Sequence, residues 1–223
     1  MFFEFAHIIY YISLAGVCIF CFFCIQKVSS PFVWICGLVI ATSLSESIAK
    51  SVVFFHLFSN NVIYHFFTPV EYGIYVVIFS KIFESRRITR LLYGSWVLLV
   101  VTEIINSIYF QPLHYTNTNI MILESVLLVF FSLLLFLHIK DSLKYDDLLH
   151  EGIFWFNSAV LIYYSFNILV WGFHSFKIYN LNNPPVIIYK VNLLFSALLY
   201  LVYGYAVYLN YISNNHKKLF VHG

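Results

Sequence analysis

The residues of this chain on which chemistry can rest are eight polar groups set in long apolar stretches. They are Glu46, Lys50, Glu71, Glu103, Asn106, Glu124, Asn167 and Asn192. An ionisable side chain in hydrocarbon costs at least about 2.5–3.5 kcal/mol by insertion scales, so such groups turn into a bundle interior and mark functional sites. Glu46 and Lys50 are four apart with the glutamate first, the favourable order for an intrahelical ion pair. Tyr64, Thr68, Glu71 and Tyr75 recur on one helical stripe. Pro69 lies within it, lacks the N–H that would bond the His65 carbonyl, and is expected to kink the helix. Glu103 shares a face with Asn106 and Ser107, Tyr163 with Asn167, and Asn192 with Ser196 and Tyr203. Four glutamates against one lysine suit a cation, an amine, a hydroxylated small molecule or proton movement. The structural alternative is interhelical hydrogen-bond glue.

Other chemistries fail on spacing. Cys18, Cys21 and Cys24 are followed by Cys36, but three thiols at helical i, i+3, i+6 drift around the axis and no histidine completes a tetrahedral site. No metal is expected. The nine histidines include no H-x-x-x-H or H-E-x-x-H pair, and there is no intramembrane Asp of the kind that membrane zinc amidases use. No lysine stands in the middle of the last helix for a retinal Schiff base. Walker-type, dinucleotide and nucleophile-elbow patterns are absent, so no cofactor and no catalytic residue is assigned.

These groups need elements to hold them, and composition says which. Of 223 residues, 61% are apolar and 10% charged. A soluble domain has about 25% charged residues, so 22 charges cannot clothe a soluble surface around 25 Phe and 18 Tyr. A spanning helix needs about 20 apolar residues. Seven stretches qualify: about Phe5–Ile25, Phe32–Leu57, Val62–Phe83, Leu91–Phe110, Ile120–Ile139, Ile153–Phe173 and Val186–Tyr211. Breaks fall at Lys27–Pro31, Ser59–Asn61, Ser85–Arg90, Gln111–Asn119, Lys140–Gly152 and His174–Pro185, the last carrying Asn-Leu-Asn-Asn-Pro-Pro. The expected fold is all-α: residues 1–223 form one polytopic membrane domain, a bundle of about seven transmembrane helices. No cleaved signal peptide is read at the N-terminus.

Orientation follows from basic residues in the loops. Lys27, Lys81, Arg86, Arg87, Arg90, Lys140, Lys144, Lys217 and Lys218 lie on one side, against Lys177 and Lys190 on the other. The expected C-terminus is cytoplasmic, the N-terminus is outside, and the location is the inner cell membrane. Counted inward at 1.5 Å per residue, the four glutamates all map to the outer half of the bilayer, although helices of both directions contribute. Trp34, Trp96, Trp155 and Trp171, with many Tyr, fall near span ends, and most read as interfacial anchors.

Ser45-Glu46, Tyr64 through Pro69-Val70-Glu71-Tyr72, Leu123-Glu124-Ser125, and Phe154-Trp155-Phe156-Asn157 through Tyr163-Tyr164-Ser165-Phe166-Asn167 carry a resemblance. They resemble a widespread group of short bacterial seven-helix integral membrane proteins with no assigned activity. The resemblance implies fold and membrane location only. The expected function is a non-enzymatic receptor or accessory signalling protein with an acidic ligand pocket. A small transporter or channel using glutamate for proton or cation coupling is the alternative, and a membrane hydrolase ranks below it. Partners expected are the lipid bilayer and a cytoplasmic effector meeting loops 84–90 and 140–152, with no nucleic acid, since no long basic run exists.

Overall fold

A backbone crossing lipid must satisfy its own hydrogen bonds, so apolar runs of this length close into helices. The computed structural model describes residues 2–142, 145–180 and 186–221, with side chains for 5–140, 148–175 and 189–215. The helices are α1 (Phe2–Cys24), α2 (Ser30–Phe54), α3 (Asn61–Phe83), α4 (Arg86–Tyr109), α5 (Thr118–Ser142), α6 (Gly152–Asn180) and α7 (Val186–Val221). Short 3-10 turns occupy Ile25–Lys27 and Tyr145–His150, and the described residues contain no strand. Each of the seven helices holds a window long and apolar enough to cross a membrane, with mean hydropathy from 1.4 to 2.7.

The boundaries of α2, α4, α6 and α7 differ from the hydropathy reading; α6 runs to Asn180, past Phe173 and into the expected break at His174–Pro185. Helix α2 stops at Phe54, short of Leu57, because the chain reverses through His56, whose φ of 53° is left-handed. Helix α4 begins at Arg86, so Ser85–Arg90 is mostly its first turn. Glu84, with φ 51°, makes the reversal from α3 almost alone. Helix α7 runs on past Tyr211 to Val221, since no Pro or Gly interrupts it there. Bilayer thickness limits the apolar window, not the helix. Helix α3 continues through Pro69 as one element. The breaker at residues 181–185, Lys144 and the side chains of Lys177, Lys217 and Lys218 lie outside the described residues.

Helices α1, α2, α3, α5, α6 and α7 close a ring, each packing on its neighbours in that order, with α7 returning to α1. Helix α4 stands outside the ring, against α3 and α5, and only 22% of its apolar window is buried. It docks through Trp96, whose indole N–H donates to the Pro69 carbonyl at 2.9 Å. The indole crosses Gly73, where a Cβ would stand 2.9 Å from Nε1. Trp96 is thus a helix-docking residue, not an interfacial anchor.

The two ends of the ring differ. The end with the α1–α2, α3–α4 and α5–α6 connections is filled by Phe32, Phe79, Phe83, Phe131, Leu135, Phe156 and Val207, all buried. There Gly152 lets α6 approach α7 closely: a Cβ would lie 2.4 Å from the Ala206 carbonyl oxygen. The opposite end, which carries the start of α1, is hollow.

Candidate functional site: an acidic, tyrosine-walled cavity

The hollow end contains a cavity of about 580 Å³, within the range of small-molecule sites. All six ring helices and the α4–α5 loop line it. Its polar wall holds Glu46, Glu71, Glu124, Asn167 and Asn192, and no Lys or Arg lines it among the described residues. Five of the eight residues singled out in the sequence are thus brought together. Convergence follows from antiparallel packing. Glu46 is in the later half of α2, Glu71 is at the middle of α3 and Glu124 is early in α5, and these positions meet on one cavity.

Phenols engage two of the carboxylates. Tyr11 donates to Glu46 Oε2 and Tyr64 to Glu46 Oε1, each at 3.3 Å. Tyr164 donates to Glu71 Oε1 at 3.2 Å. Behind it the Tyr164 and Tyr75 hydroxyls lie 3.2 Å apart, and those of Tyr75 and Tyr203 2.6 Å apart. Each phenol has one proton. Donation by Tyr164 to Glu71 therefore leaves Tyr75 to supply the proton of the next contact and Tyr203 that of the last. The chain ends at Tyr203 against Phe156, where the apolar core begins.

The third carboxylate is different. Glu124 is 4% exposed, and its Oε1 has no hydrogen-bond partner. Asn167 Oδ1 and Asn192 Oδ1 on the same wall are likewise unpartnered. An unmet buried polar atom costs about 1–3 kcal/mol, so three on one cavity wall are a feature to be explained by what fills the cavity.

The other three sequence candidates lie elsewhere. Glu103 and Asn106 belong to α4, outside the ring, and enter a second polar network. Glu103 Oε1 faces His65 Nδ1 at 2.7 Å and accepts from Ser107 at 2.8 Å, while Oε2 accepts from Asn117. His65 Nε2 meets the Tyr115 carbonyl at 3.0 Å, so the Nε2 proton is engaged there and the Nδ1–Oε1 contact must hold a second proton. Asn106 donates to Gln111 and Asn117, and Gln111 donates to Thr118. The network pins the α4–α5 loop to α3, α4 and α5. Lys50 is exposed, and its ammonium sits 3.0 Å above the Tyr11 ring centroid. The Glu46 carboxylate is bonded to phenols, so the i, i+4 spacing yields a cation–π contact in place of the expected ion pair.

Sequence reasoning missed the aromatic wall. Tyr10, Tyr11, Phe67, Tyr189 and Tyr200 line the cavity, and Trp171, near a span end, is buried beside them. The available signal was the concentration of tyrosine within the same half of the helices as the glutamates. A tyrosine facing lipid there has no partner for its hydroxyl, while one facing a carboxylate does. No group of three or more His, Cys, Asp or Glu able to hold a metal occurs among the described residues.

No family model, no curated protein and no solved structure matches this chain.

Proposed function

We propose that this integral membrane protein is a receptor or accessory signalling protein that binds a small polar ligand in the ring cavity. The mouth faces outward, and the readout passes to a cytoplasmic partner. One observation carries the reading: the cavity is one-ended. Its floor is the Tyr164–Tyr75–Tyr203 chain, and beyond it stand Phe79, Phe131, Phe156 and Leu135. The buried polar residues deeper in the bundle include Asn157 and Ser132; Asn157 Nδ2 donates to the Ser132 carbonyl at 3.0 Å, while Asn157 Oδ1 and Ser132 Oγ have no partner. A transporter needs polar groups along the whole path. The basic loops at the closed end favour placing that end in the cytoplasm. The exposed Arg86, Arg87 and Arg90 on the first turns of α4, with the 140–152 connection, supply a surface for an effector. The lineage proposed is the group of short bacterial seven-helix membrane proteins that the helix 2, 3, 5 and 6 segments resemble.

The test is one-sided access. Asn60→Cys at the mouth and Asn192→Cys on the wall are expected to react with a membrane-impermeant maleimide from outside the cell only. Ser132→Cys is expected to react from neither side, and the four native cysteines set the background. Labelling of Asn192→Cys from both sides supports a transporter instead. Labelling from neither side removes the pocket.

A further inference from the structure

The identity of the occupant rests on the reading of this cavity as a ligand pocket, and the chemistry of the wall narrows it to one class. The unpartnered wall atoms are acceptors: Glu124 Oε1, Asn167 Oδ1 and Asn192 Oδ1. Glu124 and Asn167 are 4% and 7% exposed, so bulk water does not serve them. The phenol protons of Tyr11, Tyr64 and Tyr164 are already directed at Glu46 and Glu71. The missing partners are therefore donors, and they must come from the occupant.

Charge and spacing narrow the occupant further. Three carboxylates face the cavity without a lysine or arginine among the described residues, which calls for a cation. They stand on three different helices, and no three acidic, histidine or cysteine groups come together as a metal-binding set among the described residues. One compact ion cannot serve all three, whereas an elongated molecule with separated positive centres can. The surfaces between the carboxylates are aromatic, with Tyr10, Tyr163 and Tyr200 among them. Tyrosine faces accept both methylene chains and ammonium groups. The protein already shows this pairing where the Lys50 ammonium rests on the Tyr11 ring.

We propose that the cavity binds a linear di- or polyamine, with its ammonium groups shared among Glu46, Glu71 and Glu124 and its methylenes against the tyrosine wall. Protonated primary amines supply the absent N–H donors. Quaternary ammonium compounds carry charge but no donor.

The experiment is calorimetric titration of the full chain in lipid nanodiscs with spermidine, 1,4-diaminobutane, butylamine, hexamethonium and magnesium chloride. Spermidine or diaminobutane is expected to bind saturably, one per chain. Butylamine and hexamethonium are each expected to be at least about tenfold weaker, one lacking a second charge and the other lacking donors. Glu124→Gln is expected to weaken spermidine about tenfold. Asn167→Asp adds a fourth carboxylate and is expected to tighten it, which keeps the proposal testable should Glu124→Gln fold poorly. Equal binding of butylamine and spermidine, preference for hexamethonium or magnesium, or no saturable amine binding overturns the assignment. If Asn192→Cys is still labelled from outside in that case, the pocket stands and only the ligand class falls. If that labelling is also absent, the pocket reading falls with it.

Discussion

The Tyr164 hydroxyl of α6 donates to Glu71 Oε1 of α3 at 3.2 Å and stands 3.2 Å from the Tyr75 hydroxyl. Tyr164 is therefore the link between the cavity and the buried tyrosine chain that floors it. Removing its hydroxyl strips Glu71 of the phenol and leaves Tyr75 one partner fewer. Tyr164→Phe is expected to cost about 1 kcal/mol, in the range measured for interhelical hydrogen bonds in membranes. Tyr203→Phe, at the far end, is expected to cost less. Equilibrium unfolding in mixed micelles of increasing SDS fraction checks both. A neutral Tyr164→Phe means the chain is no structural floor.

The Glu103 network serves a different purpose, because it holds the α4–α5 loop and the outlying helix α4. Both Glu103 oxygens are occupied, by His65, Ser107 and Asn117. Glu103→Gln places an amide donor where acceptor capacity is needed. The expected loss is about 1–3 kcal/mol of stability, with spermidine affinity unchanged within about twofold, well below the factor of ten that 1.4 kcal/mol represents. A double-mutant cycle with His65→Ala is expected to show coupling of about 1 kcal/mol or more. Additive effects in that cycle speak against the pairing.

Close packing at the other end gives a third expectation. A Cβ on Gly152 would stand 2.4 Å from the Ala206 carbonyl oxygen and 2.8 Å from the Phe32 ring. Backbone cannot yield as a side-chain tip can. Gly152→Ala is expected to destabilise by about 1–3 kcal/mol, as overpacked cores do. Gly37→Ala, with open space around its Cβ, is expected to be neutral or slightly stabilising, since alanine favours helix. The contrast is read from the same SDS titrations.

The number of helices and the shared end of the acidic residues were legible in the sequence because both depend on one-dimensional quantities. Hydropathy over about 20 residues fixes a span, and counting from its ends fixes depth. Lateral position is not one-dimensional. Glu103 has the depth of Glu124 and a similar apolar setting, yet α4 packs outside the ring, so Glu103 meets His65 rather than the cavity. Nothing in the α4 hydropathy of 1.6 separates it from α7, whose value is also 1.6. Lys50 illustrates a second limit. Its spacing from Glu46 permits a pair, but two phenols already occupy that carboxylate and the face of one of them, Tyr11, receives the ammonium. The tyrosine wall went unread because an aromatic in a membrane helix has the same one-letter signature whether it faces lipid, headgroups or a cavity.

The most direct test of whether these acids serve a ligand or hold the bundle together is the unfolding free energy of Glu124→Met without added ligand. Glu124 is buried with one carboxylate oxygen unpartnered. Replacing an unsatisfied buried polar group by an apolar one of similar size is neutral or stabilising, and functional sites retain such groups at the expense of stability. The expected result is a protein at least as stable as the wild type, to within about 0.5 kcal/mol, that no longer binds spermidine. A loss of more than about 1 kcal/mol, the scale of a membrane hydrogen bond, would contradict this and make Glu124 part of the scaffold.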